Sequence, residues 1–219
     1  MAAQHTSNPN PVPAMTHHEP LKQPVVVISP HFLAQYPIDL TINGKVWTLG
    51  ENDFDVLDVN GTPIFKIKSK LLSLHDRRKL LDASGNVLVT FKQKLLTMHY
   101  RWHCYRGDST DEKDLLFTVK KQKFFQMRTQ LDVFLAGNND KNIPDFHIKG
   151  SYMDSHCTIF LGNSDQTILA QMNRRHDVKS FLTGSDKFMV NVFPNVDYAF
   201  ITALVVILDE INDDRSGTD

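Results

Sequence analysis

Short stretches in which apolar and polar residues alternate, punctuated by glycine, asparagine and aspartate, fill most of the chain. That pattern predicts strands joined by tight turns. Val25–Ile28 opens the series as a β-branched run, and Ser29-Pro30 then supplies an N-cap and a first helical position for about one turn through Gln35. Ile38–Ile42 and Val46–Leu49 flank Asn43-Gly44, while Phe54–Val59 and Ile64–Lys68 flank Asn60-Gly61, two hairpin signals of the same kind. Further strands are expected at Lys79–Asp82, Val87–Lys92, Arg101–Tyr105, Leu115–Lys120, Phe124–Arg128, Leu131–Leu135, Phe146–Lys149, Cys157–Leu161, Thr167–Met172 and Phe188–Phe193. Many strands at short spacing indicate a barrel or a sandwich.

One segment breaks the alternation. Tyr198–Leu208 is apolar at every position but Thr202. Its β-branched residues favour strand, but eleven residues exceed the usual strand length, Pro194 places a break ahead of it, and Asp197 stands as an N-cap. A helix from Asp197 to about Ile211 is therefore expected, although Asp209 and Glu210 are poorly placed near a helix C-terminus. A bilayer-spanning helix needs about 20 apolar residues. A shorter helix that is apolar on all sides must be enclosed by protein, here by a closed sheet. Tyr198, Phe200, Ile201, Leu204, Val205 and Leu208 are its expected core contacts.

A 24-residue repeat lies within the strand-rich part. Asp58, Gly61, Lys68, Lys70, Leu71, Leu72, His75 and Arg77 recur as Asp82, Gly85, Lys92, Lys94, Leu95, Leu96, His99 and Arg101. One β unit used twice, each copy completing its neighbour's core, accounts for this.

Composition narrows the possibilities. A formal net charge of −1 argues against a general nucleic-acid binder. Cys104 and Cys157 make no disulfide framework, so two reduced thiols in a cytosolic or nuclear protein are expected. Residues 1–24 hold five of the ten prolines and no signal-peptide pattern, which predicts a disordered or extended leader. The folded unit is expected over 25–212, with a frayed tail at 213–219.

At this point the chain resembles the plant LURP-one-related proteins, which share the tubby C-terminal-like fold with phospholipid scramblases and tubby proteins. The resemblance rests on Tyr36-Pro37-Ile38-Asp39, on Leu74-His75-Asp76-Arg77-Arg78 with Leu81-Asp82, and on Trp102 followed by Arg106-Gly107. It also rests on Leu131–Leu135, on Asp145–Ser151, and above all on Pro194-Asn195-Val196-Asp197-Tyr198-Ala199-Phe200-Ile201. It implies a mainly β fold: a closed antiparallel β-barrel of roughly twelve strands around a central C-terminal helix. It also implies kinship to membrane-tethered, transcription-related proteins, with some members tied to plant defence, and it brings no catalytic activity. Kinship to scramblases does not transfer lipid scrambling.

The strongest candidate chemistry is a basic stripe. In Ile64–Leu71, Lys66, Lys68 and Lys70 alternate with Phe65, Ile67 and Ser69, so a strand would set the lysines on one face. Lys92 and Lys94 repeat the pattern, Arg77, Arg78 and Lys79 follow closely, and Lys120, Lys121 and Lys123 lie further on. Side by side these would suit anionic phospholipid, since tubby proteins bind phosphoinositides on a basic surface; the plainer alternative is a solvated outer wall. His99 and His103 have helical zinc spacing but sit in an expected strand, so no metal is expected. No cofactor is expected either, and GxSxG, GxGxxG and Walker patterns are absent. Trp47, Trp102, Phe124 and Phe125 beside lysines are read as strand core rather than as a nucleic-acid surface. The expectation is a monomeric, non-enzymatic binding module at the cytoplasmic side of a membrane. An interaction scaffold with protein partners, or a cryptic enzyme, are the alternatives.

Overall fold

A computed structural model of the 219-residue chain describes residues 21–44, 54–70, 77–94, 101–122, 129–151, 156–175 and 187–216. Twelve strands run in chain order: β1 (Ile38–Gly44), β2 (Phe54–Leu57), β3 (Pro63–Lys70), β4 (Arg77–Asp82), β5 (Val87–Lys94) and β6 (Arg101–Arg106), then β7 (Leu115–Lys121), β8 (Thr129–Leu135), β9 (Phe146–Ser151), β10 (His156–Leu161), β11 (Ile168–Arg175) and β12 (Lys187–Val192). Each pairs antiparallel with the next, and β12 returns to β1, closing the barrel. Helix α1 (Tyr198–Ser216) fills the interior.

Alternation along each strand decides which side chains meet α1. In β3, Phe65 and Ile67 are buried while Lys66 and Lys68 are exposed. Leu40, Ile42, Val89, Phe91, Phe117, Val119, Leu131 and Val133 join them in one core with Phe200, Ile201, Leu204 and Ile207. Because wall surrounds the helix on every side, Ala199 through Ile211 is buried throughout. Thr202, the one polar residue in the apolar run, donates its hydroxyl to the Tyr198 carbonyl at 2.8 Å. The helix extends to Ser216 rather than ending near Ile211, so part of the expected tail is helical. Asp209 and Glu210 are therefore interior positions, clear of the unfavourable C-terminal end of the dipole. Among the described residues no helix is long and apolar enough to cross a membrane.

Asp197 caps α1 and fastens the N-terminal arm across the same mouth of the barrel. One carboxylate oxygen accepts from the Ala199 and Phe200 amides, both at 3.1 Å. The other accepts from Val27, Ile28 and Ser29 at 3.2, 2.7 and 3.1 Å. Burial pushes this carboxyl above the ordinary range, opposed by the amides of Ile28, Phe200, Ser29 and Val27. The expected strand Val25–Ile28 is thus corrected: only Val25 makes a β-bridge, to Val196, because the next amides turn inward to Asp197. The arm is described from Leu21, which packs on the core. The expected helical turn is present as a 3-10 turn, Pro30–Phe32, capped by Ser29.

The 24-residue repeat becomes two adjacent hairpins, β2–β3 and β4–β5. In the first, the Asp58 carboxylate accepts from the Asn60 and Thr62 amides and Gly61 takes φ 79°. In the second, Asp82 accepts from Asn86 and Gly85 takes φ 89°. A register irregularity between Val56 and Leu57 recurs between Leu80 and Leu81, and again between Cys104 and Tyr105 in β6. Asn43-Gly44 is no turn; both residues continue β1, opposite Asp55 and Phe54 of β2. Val46–Leu49 and Phe124–Arg128 lie outside the described residues.

Candidate functional site: a basic outer wall

Register converts the repeat into a charged surface. Strands β3 to β7 set cations directly opposite cations: Lys68 faces Lys79, Lys70 faces Arg77, Arg77 faces Lys92, Lys94 faces Arg101, and Arg101 faces Lys120. Like charges directly across a sheet are destabilising. Folding alone would not favour this arrangement on five neighbouring strands.

Six of the seven residues expected at an anion site, Lys66, Lys68, Lys70, Arg77, Lys92 and Lys94, fall on these wall strands. Arg78 does not join them. Strand parity turns it inward, opposite Phe91, where it is buried, ion-paired with Glu210 of α1 and stacked over the Phe54 ring at 5.8 Å. Lys79, Arg101 and Lys120 are additional members of the wall. Arg101 was visible as the repeat partner of Arg77. Its Nε is buried and has no hydrogen-bond partner among the described residues. Lys120 lies 4.0 Å above the Phe134 ring, and burial and Arg101 lower its pKa.

Acidic counterparts on the wall come from the flanking strands, where Asp55 stands opposite Lys66 and Asp132 opposite Lys120, and from the β6–β7 connection. Lys79 pairs with Asp108 at 2.7 Å and Lys94 with Glu112 at 3.2 Å. At the wall's centre His103 stands opposite Lys92, with Nδ1 3.2 Å from the Tyr105 hydroxyl. Burial, then Lys94, Arg101 and Lys92, push His103 down to about 4, opposed by Glu112. The unfolded chain thus binds a proton near the ordinary value of about 6.5 before the folded one does. Unfolding free energy should therefore fall as pH drops from about 6.5 to about 4, and His103→Gln should flatten that part of the curve in urea titrations.

Other sequence candidates resolve as structural groups. Trp102 is core rather than a stacking platform. Trp47, Phe124, Phe125, Lys123 and His99 lie outside the described residues. Cys104 and Cys157 are buried and unbridged; burial raises the first well above the ordinary thiol value and pushes the second up to about 12. They are not nucleophiles at neutral pH. His147 is held between the Gly162 carbonyl at 2.6 Å and Asp165 at 2.7 Å, with Lys149 on the same carboxylate. Among the described residues no group of three histidine, cysteine or acidic side chains could hold a metal ion.

The fold and wall together define a helix-filled, twelve-stranded antiparallel barrel with a cationic outer face. The LURP-one-related family model matches residues 38–209, the whole barrel and most of its helix. The chain belongs to the LURP-one-related family. It is 49% identical over 193 residues to LURP-one-related 15 of Arabidopsis thaliana, covering 88% of each chain. It is 47% identical to LURP-one-related 10 of the same plant, over 88% of this chain and 99% of that one. It is 42% identical to the Arabidopsis protein LURP1, over 87% of this chain and 92% of that one. An X-ray structure of an Arabidopsis thaliana protein superposes with a TM-score of 0.66 at 46% identity, covering 85% of this chain and 98% of that one.

Proposed function

We propose that this protein is a non-enzymatic module whose basic wall binds anionic phospholipid, with phosphoinositide headgroups the best-matched class. The observation that carries this is the register: on β3–β7 the same face holds Lys68 against Lys79, Arg77 against Lys92, and Arg101 against both Lys94 and Lys120. Closely spaced phosphates would relieve that repulsion, and multivalent charge favours them over a single anion. The family resemblance to tubby and scramblase-related proteins points the same way, and suggests a peripheral role at the cytoplasmic membrane surface in plant defence signalling. Lys66, Lys68 and Lys92 form no ion pair among the described residues, which leaves them for a ligand.

The full chain should sediment with phosphatidylcholine vesicles doped with phosphatidylinositol bisphosphate, and less so as salt rises. Lys66→Glu/Lys68→Glu/Lys92→Glu should lower the association roughly a hundredfold or more, at about 1 kcal/mol per lost cation. These side chains point to solvent, so the thermal midpoint should move little. Equal recovery on doped and neutral vesicles would leave the wall as a solvated or protein-binding surface.

A further inference from the structure

Two side chains on the wall are buried although they point away from the core. His103 and Tyr105 alternate with the inward Trp102 and Cys104, and stand opposite Lys92 and Thr90 of β5. Side chains on that face should meet solvent, yet His103 is 8% exposed and Tyr105 1%. The 3-10 turn Glu112–Asp114 of the β6–β7 connection, 107–114, lies against β6, with Glu112 close enough to act electrostatically on both side chains.

Its course is anchored on β4 and β5. The Gly107 amide donates to the Leu88 carbonyl at 2.9 Å, and its carbonyl accepts from the Thr90 hydroxyl at 2.7 Å. Asp108 then reaches Lys79 of β4, and Glu112 reaches Lys94 near the end of β5. Internal bonds hold the shape: Ser109 donates to Asp114 at 2.6 Å, and the Asp114 amide donates to the Asp111 carbonyl. The segment GDSTDEKD carries four acids against one lysine. It places carboxylates on the cations where ligand phosphates would bind.

We propose that residues 107–114 are an internal substitute for the anionic ligand, closing the centre of the wall until a polyanion displaces them. This rests on the reading of the wall as an anion site. The clasp suits that task, because both ion pairs are solvent-facing, with the Asp108 and Glu112 side chains 64% and 68% exposed. Exposed pairs of this kind are weak and salt-screened. A ligand with several phosphates exchanges two such contacts for more, and gains Arg101, His103 and Tyr105 as donors once the segment lifts.

The test compares the 219-residue chain with Asp108→Asn/Glu112→Gln, and with Asp39→Asn/Asp165→Asn, which makes the same change in net charge on β1 and in the β10–β11 connection. Probes are phosphatidylcholine vesicles containing phosphatidylinositol bisphosphate, and soluble inositol hexakisphosphate. The wall-facing pair should bind both roughly tenfold tighter than wild type, and the control pair about as wild type does. Amides of 107–114 should exchange faster with deuterium in the variant and in the ligand-saturated wild type. If wild type binds vesicles but the variant binds no tighter than the control, the closing role is refuted and the lipid reading stands. If vesicles fail but the hexakisphosphate binds with the expected ranking, the lipid source is refuted and the closing role stands. If neither probe binds any form, both are refuted.

Discussion

Replacing Arg78 with methionine should destabilise the protein by about 3–5 kcal/mol, the cost of removing one member of a buried ion pair. Glu210 lies on the enclosed helix, itself buried, and receives the Arg78 guanidinium directly. The double variant Arg78→Met/Glu210→Leu should recover most of that loss, because an apolar pair of similar volume avoids desolvating two ions. Urea unfolding of the four proteins of the cycle measures the coupling. A double variant as unstable as the sum of the single ones would show the two side chains to be energetically independent.

Asp197→Asn is expected to produce the second large loss, roughly 3 kcal/mol or more. Five amides converge on the Asp197 carboxylate, three on one oxygen and two on the other. A carboxylate offers acceptors on both sides, whereas an amide must turn an NH₂ group toward one set of donors. The measurable signature is local as well as global. Hydrogen exchange at Val27, Ile28 and Ser29 should accelerate more than exchange in the strands. Unchanged exchange at those three amides would contradict the fastening role.

Much of this architecture was legible in the sequence, for identifiable reasons. The helix showed itself through an apolar run too long for a strand, with Asp197 ahead of it. The wall showed itself through lysines at every second position in β3. Arg78 was grouped with the wall because it sits in a run of three cations, although two signals opposed this. Alternation puts Arg77 and Lys79 on one face and Arg78 on the other, and the 24-residue repeat pairs position 78 with Trp102, a core residue. Asn43-Gly44 misled because the dipeptide is a local turn signal, whereas its pairing with β2 across an intervening stretch is not local. Val25–Ile28 misled in the same way: its apolar pattern does not disclose that a carboxylate some 170 positions away collects its amides. The position of 107–114 against β6 had no sequence signal beyond its opposite charge.

The closure of β1 on β12 has a consequence for how the chain is made. The seam joins Ile38–Asn43 to Lys187–Val192, and the helix that fills the barrel follows the seam in sequence. During synthesis the first ten or so strands leave the ribosome before their common core exists. Contacts this distant in sequence make for slow folding and a long exposure of unpaired edges. A nascent chain halted just before Pro194 would carry nearly the full wall and nothing to wrap it around. Completion of the fold is therefore tied to Tyr198–Ser216, which follows the seam, and any message truncated before that segment yields a chain for quality control rather than a weaker version of the protein.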